Sequence, residues 1–313
     1  MGVVLVTGAA GFAGGHLLEH LAPLGLDLVG WARSEPPSGL AGLARWQRVD
    51  LLDAAQVRQA IAGLRPSQVY HCAGVPHVAG SWSHSATSLA GNIRTTHHLF
   101  DALRRADVRA RILLPGSATV YAPSDAPIRE DSGVLAPASP YALSKLGQEM
   151  LGGRGGAEDG LDVVMTRSFN HTGPRQTPAF VAPSMARQVA LIERGALEPT
   201  IRVGNLSTRR DITDVRDVVR AYALLMARGA PGTIYNVASG VGRSIQSVLD
   251  ALVARARVPV RVEIDTSRLR AQDTPALVGD RSRLTRATGW EPEVPFDRML
   301  DDLLAYWRAH AEP

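Results

Sequence analysis

The 313-residue chain has one cysteine and one lysine, and each scarcity excludes something. A lone Cys72 rules out an internal disulfide framework and any metal site built on several thiolates. His71 stands alone on its strand pattern and reads as a structural ring, while the adjacent His97 and His98 would diverge on a helix, so no metal is expected. No stretch approaches the roughly eighteen apolar residues of a membrane helix, and the N-terminus enters a strand pattern at once, without a charged region and apolar signal core. A cytoplasmic protein with no membrane partner is expected. Repeats and low-complexity tracts are missing, and the nearest approach to a flexible stretch is Gly152-Gly153-Arg154-Gly155-Gly156. The formal charge is +4, yet the arginines are dispersed and no basic run carries interleaved aromatics, so no nucleic-acid partner is expected. Scattered arginine suits anionic small molecules instead, because the guanidinium fork grips phosphate in bidentate fashion.

The scarcity of lysine makes Lys145 informative. Every other strong base is arginine, so a position that still spells lysine points to a need for a compact ammonium that a planar guanidinium cannot imitate. Tyr141 lies four residues earlier, at the start of a helical pattern, and residues i and i+4 share one helix face. A cation within a few ångströms favours phenolate over phenol, so Lys145 is expected to draw the Tyr141 pKa down from about 10.

Upstream, the β-branched run Val3–Val6 leads into a glycine turn with Gly8, Gly11, Phe12, Ala13 and Gly14, followed by a helix near Gly15–Leu21. Strand, glycine turn and helix in that order form a dinucleotide fingerprint, in which the helix N-terminus faces the pyrophosphate. After a second strand, Asp27–Trp31, there is no acid to hold an adenosine ribose. Arg33 follows instead and can meet a 2′-phosphate, which favours NADP(H) over NAD(H). A third strand, Arg45–Val49, precedes Asp50, expected beside the adenine, and Asp53, expected to cap the next helix. The fourth strand, Gln68–Gly74, ends in Cys72, Ala73 and Gly74, small enough for backbone to lie against a cofactor. A long helix over Leu89–Ala106 and a fifth strand, Arg111–Pro115, deliver Ser117 to the carboxyl end of the sheet, where open α/β folds place their chemistry. With a sixth strand at Asp162–Ser168, the pattern predicts an α/β fold: a Rossmann-type doubly wound parallel sheet in residues 1–168, to which 211–237 returns. A smaller, mostly helical C-terminal substrate domain is expected from 169–210 and 238–313.

With the glycine turn, Ser117, Tyr141 and Lys145 in place, the chain resembles the extended short-chain dehydrogenase/reductases that act on nucleotide sugars, over nearly its whole length. Within them, Arg167–Gln176, Gly204–Leu206, Arg210-Asp211, Asp214–Tyr222 and Tyr235–Gly240 look like the GDP-4-keto-6-deoxy-D-mannose reductases. The resemblance implies Ser117, Tyr141 and Lys145 as the catalytic set, with Tyr141 and Lys145 also touching the cofactor beside Leu51 and His171. It implies Asn170, Arg210 and Arg270 as ligands of the nucleotide sugar, and a homodimer through the helices around Leu89–Ala106 and Tyr141–Leu151. The implied reaction is NADPH-dependent reduction of a sugar C4 ketone. The similar 4,6-dehydratases carry a glutamate where this chain has Thr119, and a hydroxyl is far too weak a base for their carbon acid. A nucleotide-sugar 4-epimerase is the nearest alternative, a dehydratase the next, and a dinucleotide-sensing binding protein the non-enzymatic one.

Overall fold

Short apolar runs with no polar face can form strands only where both faces are covered, and the first of them, β1 (Val4–Thr7), is buried at every residue. In the computed structural model, which describes residues 2–76, 81–131, 133–268 and 274–312, β1 is an interior strand of a seven-stranded sheet. The other strands of the sheet are β2 (Leu28–Ala32), β3 (Arg45–Arg48), β4 (Gln68–His71), β5 (Arg111–Ser117), β6 (Asp162–Ser168) and β10 (Ile234–Val237). The spatial order is β10-β6-β5-β4-β1-β2-β3, with every pair parallel. This is the doubly wound Rossmann order, with its switch point between β1 and β4.

Alternating side chains feed two layers. Val4 and Val6 face Leu17, Leu18 and Leu21 of the helix Phe12–Leu21 and Val218, Tyr222 and Leu225 of the helix Val215–Arg228. Leu5, between them, faces the other way, toward Val57, Ile61, Leu99 and Leu103. Beyond the sheet, the helices Val181–Glu193, Ile245–Val253 and Phe296–His310 enclose a separate core with Ile201 and Val203 of β8 (Thr200–Val203). Two small sheets accompany these helices. One joins β9 (Arg209–Asp214) to β7 (Asn170–Thr172), β11 (Gly242–Ser244) and β13 (Ala276–Leu277), and the other pairs β8 with β12 (Arg261–Ile264). Among the described residues, no helix is long and apolar enough to cross a membrane.

Three local expectations change. The glycine-rich stretch 152–156 is not a flexible segment but lies within the helix Pro140–Ala157. A Cβ on Gly152 would come within 2.7 Å of Met165 Sδ, and one on Gly155 within 3.0 Å of the Phe100 ring, so glycine here permits close helix packing. The fourth strand ends at His71, and Cys72–Gly74 leave the sheet. The single helix foreseen over Leu89–Ala106 is interrupted. Ser85–Leu89 and Thr95–Arg105 are α-helical, and the π-helical turn Ala90–Arg94 between them carries the buried Asn92. Its carboxamide accepts from Val75 N–H at 2.9 Å and donates to Ser144 Oγ at 2.8 Å, tying the turn to the neighbouring helix.

Candidate active site

Because all seven strands are parallel, the residues that follow β1 to β5 gather at one edge of the sheet. Gly8 has φ +66°, and a Cβ there would lie 2.7 Å from Ala73 Cα. A Cβ on Gly14 would lie 2.3 Å from Gly8 O, whereas Gly11 N–H donates to that carbonyl at 2.9 Å. Only glycine fits at positions 8 and 14, and the turn delivers a helix whose N-cap, Gly11, supplies no side-chain hydrogen bond and whose first turn holds no acid. Amides left in this way suit a diphosphate. Arg33 is exposed just past β2. Asp50 accepts from Leu52 N–H at 3.0 Å, the buried Leu51 offers its carbonyl to His98 Nδ1 at 2.8 Å, and Asp53 caps the helix Ala54–Leu64 as expected. The donor set and the glycine cradle fit a dinucleotide.

Ser139 caps the helix Pro140–Ala157 by accepting from Ala142 N–H at 3.1 Å, and Pro140 occupies its first turn, so the start of this helix is fixed where Tyr141 and Lys145 project. Ser117, the last residue of β5, is buried with its hydroxyl against the Tyr141 phenol; its Oγ lies 2.9 Å from Thr119 Oγ1. Burial raises the Tyr141 pKa, and the Ser117 hydroxyl offsets only part of that. This corrects the expectation that Lys145 draws the phenol toward neutrality. The ammonium is engaged elsewhere, donating to Pro115 O at 3.1 Å and Gln148 Oε1 at 2.8 Å. Desolvation brings the lysine itself down to about 8.

Behind the ammonium lies a polar chain that sequence reading did not find. Gln148 Nε2 donates to Thr96 Oγ1 at 2.9 Å, His71 Nε2 lies 3.0 Å from the same oxygen, and His71 Nδ1 lies 2.8 Å from Thr7 Oγ1. Burial lowers the His71 pKa to about 3, and the ring is structural. Cys72 is half-buried beside it, its thiol pushed up to about 12 by desolvation, with Lys145 pulling the other way. A Cβ on Gly74 would stand 2.4 Å from Asn92 Oδ1 and 3.8 Å from Lys145 Nζ, so this position too requires glycine. One residue beyond Gln148, Glu149 pairs with Arg167 of β6 at 2.6 Å, the two side chains being 9% and 5% exposed. Arg167 also donates to Tyr121 Oη at 2.8 Å, which donates to Asn236 Oδ1 at 2.9 Å.

On the far side of the cleft, the Phe12 ring stacks on His171, with centroids 5.9 Å apart and planes 4° from parallel. The β7 segment therefore sits across the start of the first helix, and His16 Nε2, 2.9 Å from Pro174 O, reinforces the contact. Ala13 follows Phe12 in the same first turn. Asn170 is exposed on β7, and Arg210 lies on the adjacent β9, where Asn170 aligns with Ile212. Arg210 donates to Thr274 O at 2.7 Å, while Arg209 donates to Gly242 O at 2.8 Å. Arg270 lies outside the described residues. Asp211 binds the backbone N–H groups of Ser239, Gly240 and Gly279, fixing the loops beside Arg210. Among the described residues, no three His, Cys, Asp or Glu side chains cluster as metal ligands. Sequence reading missed Asn92, Thr96, Gln148, Glu149 and Asp211.

Comparison with known proteins accords with this geometry. The family model for GDP-mannose 4,6 dehydratase matches residues 5–303. The GDP-6-deoxy-D-mannose reductase of Pseudomonas aeruginosa is 33% identical over 309 residues, covering 98% of this chain and 97% of that protein. A solved structure of RMD from Pseudomonas aeruginosa complexed with NADPH superposes with a TM-score of 0.85 at 31% identity, covering 99% of each chain. The UDP-glucose 4-epimerase of Thermus thermophilus, in complex with NAD, gives 0.86 at 29% identity over 98% of this chain and 99% of that one. A match of this extent, on a Rossmann sheet with the glycine turn and the Tyr141/Lys145 pair at its carboxyl edge, places the chain in the GDP-mannose 4,6 dehydratase family of extended short-chain dehydrogenase/reductases.

Proposed function

We propose that the protein reduces the C4 keto group of a nucleotide-linked 4-keto-6-deoxy sugar with NADPH, the leading substrate being GDP-4-keto-6-deoxy-D-mannose and the product GDP-D-rhamnose. One observation carries this reading. Ser117 places its hydroxyl against the Tyr141 phenol at the end of β5, and the residue two positions on, where a dehydratase keeps a glutamate, is Thr119, whose hydroxyl is bonded to Ser117 Oγ at 2.9 Å. The site has a proton donor for an alkoxide and a hydroxyl where elimination needs a base.

The cofactor, when bound, supplies the hydride. Tyr141 donates the proton to the oxygen of the reduced carbonyl, and its raised pKa keeps it in the phenol form that a reduction requires at its start. Ser117 donates a hydrogen bond to the same oxygen as charge develops there. Lys145 has two of its three N–H groups fixed on protein acceptors and offers the third to the nicotinamide ribose. Gly8, Gly11 and Gly14 admit the pyrophosphate to the helix N-terminus, and Arg33 takes the 2′-phosphate. The segments 169–210 and 238–313 bind the nucleotide sugar, with Asn170 and Arg210 as ligands and Arg270 as a third. Leu143 and Met150 are exposed apolar residues seven apart on the helix Pro140–Ala157, which supports a homodimer through this face.

Purified protein given GDP-4-keto-6-deoxy-D-mannose and NADPH is expected to consume both in equal amounts. GDP-mannose should yield no 4-keto product, and UDP-galactose with catalytic NAD should stay unchanged. A 4-keto product from GDP-mannose overturns the reading in favour of a dehydratase, and conversion of UDP-galactose overturns it in favour of an epimerase.

A further inference from the structure

The polar chain behind Lys145 has a direction, and the direction follows from one hydroxyl. Thr96 donates its only O–H proton to Asn92 O at 2.8 Å, so at its other two contacts it can only accept. Gln148 must therefore turn its NH2 toward Thr96, which leaves Oε1 facing the Lys145 ammonium. His71 must likewise present Nε2–H to Thr96, and its bare Nδ1 accepts from the Thr7 hydroxyl, which itself accepts from Ala73 N–H at 3.3 Å. Every donor in the chain has one allowed orientation.

We propose that Gln148 is a positioning residue for Lys145, a neutral acceptor whose amide orientation is fixed by Thr96 and His71 and which holds the ammonium in place without neutralising it. The inference rests on reading Lys145 as the lysine of the proton-transfer set. The groups around the ammonium leave this task to Gln148. From β5 comes only the Pro115 carbonyl, from the helix Thr95–Arg105 only the neutral Thr96, and from the end of β4 the ring of His71 and the thiol of Cys72, both uncharged at neutral pH. From its own helix, Tyr141 is a neutral phenol, and Glu149 is turned to Arg167. Among the described residues no carboxylate balances Lys145, so its whole charge acts on the cleft.

An acceptor on the ammonium favours the charged form, so taking it away lowers the lysine pKa and replacing it with a carboxylate raises it. With Lys145 near 8, a decrease of about one unit would cut the charged fraction at pH 8 from about half to about one tenth, roughly a fivefold loss of kcat/KM. Because the chain has one lysine, protein grown with side-chain-labelled lysine gives a single ε resonance whose pH titration reads this group alone. The resonance is expected to titrate at lower pH in Gln148→Leu and at higher pH in Gln148→Glu, with the alkaline limb of NADPH-dependent turnover moving in the same two directions. Thr96→Val, which frees the amide to rotate while leaving Gln148 present, is expected to shift the titration in the same sense as Gln148→Leu, by less. Three titrations that coincide with the wild type overturn the proposal even if wild-type turnover is normal. Titrations that move as expected in a protein that does not reduce the keto sugar support the positioning role and remove the reading under which Lys145 serves that reaction.

Discussion

Two consecutive residues of one helix hold two cations, and they do it in opposite ways. Gln148 gives Lys145 a neutral acceptor, and desolvation lowers that lysine to about 8. Glu149 gives Arg167 a full carboxylate at 2.6 Å, and although burial works against the charge, the hydrogen bonds that the guanidinium donates to Glu149 and Tyr121 outweigh it and raise the arginine's pKa. Both cations sit where water is scarce. The arginine is neutralised and serves to fasten β6 to the helix, to Tyr121 and through it to Asn236. The lysine is held in place but keeps its charge for the cleft. A buried charge with a matched partner is a structural device, whereas one restrained by neutral groups remains free to act on a ligand.

The largest effect that tests this contrast is on turnover. Tyr141→Phe removes the proton donor beside the unneutralised cation while keeping the ring, so kcat should fall by about 10² to 10⁴-fold with cofactor affinity and the unfolding midpoint nearly unchanged. Retention of wild-type kcat would show that Tyr141 is not the acid. Glu149→Gln should do the reverse. It leaves Arg167 buried without its counter-charge, at a cost of about 3–5 kcal/mol in urea unfolding, while the pH profile of whatever protein folds stays where it was. Gln148→Leu should cost less, about 1–3 kcal/mol, because the partner removed is neutral and only its hydrogen bonds to the Lys145 ammonium and to Thr96 are lost. Equal losses at 148 and 149 would erase the distinction between the two cations. The smallest effect concerns a third cation, the exposed Arg33. Arg33→Ala should reduce the preference for NADPH over NADH by about tenfold, the worth of one charged hydrogen bond, and calorimetric titration showing no preference in the wild type would remove the basis for this role.

What could be read in advance was local. The glycine turn, Ser117 at the end of its strand, and Tyr141 four residues before Lys145 each lie within one turn or one strand–turn junction, where spacing determines geometry. The doubly wound parallel sheet followed from the same alternation of strands and helices. The support behind the lysine could not be read, because its links join residues far apart in the chain: Thr7 to His71 is 64 positions, His71 to Thr96 is 25, and Thr96 to Gln148 is 52. Gln148 by itself is an ordinary helix residue. The π-helical turn at Ala90–Arg94 was hidden for the same reason, since Asn92 is drawn inward by partners on the Val75 backbone and on Ser144. The glycines at 152–156 were misread because propensity describes an isolated helix, whereas here Met165, Leu114 and Phe100 leave no room for a larger residue at 152 and 155. The lowered tyrosine pKa failed on a different ground. Spacing placed two side chains on one helix face, but desolvation and the acceptors at Pro115 and Gln148 decided where the charge was felt.

The half-buried Cys72 has a practical consequence. Its thiol, pushed up to about 12, carries roughly a thousandfold less thiolate at neutral pH than an ordinary cysteine, and thiolate is the form that alkylating reagents attack. The chain has no second cysteine to give a background signal. Its rate of alkylation is therefore a clock for the opening of one place in the molecule, the end of β4 against the lysine, and it runs fast only when that place comes apart.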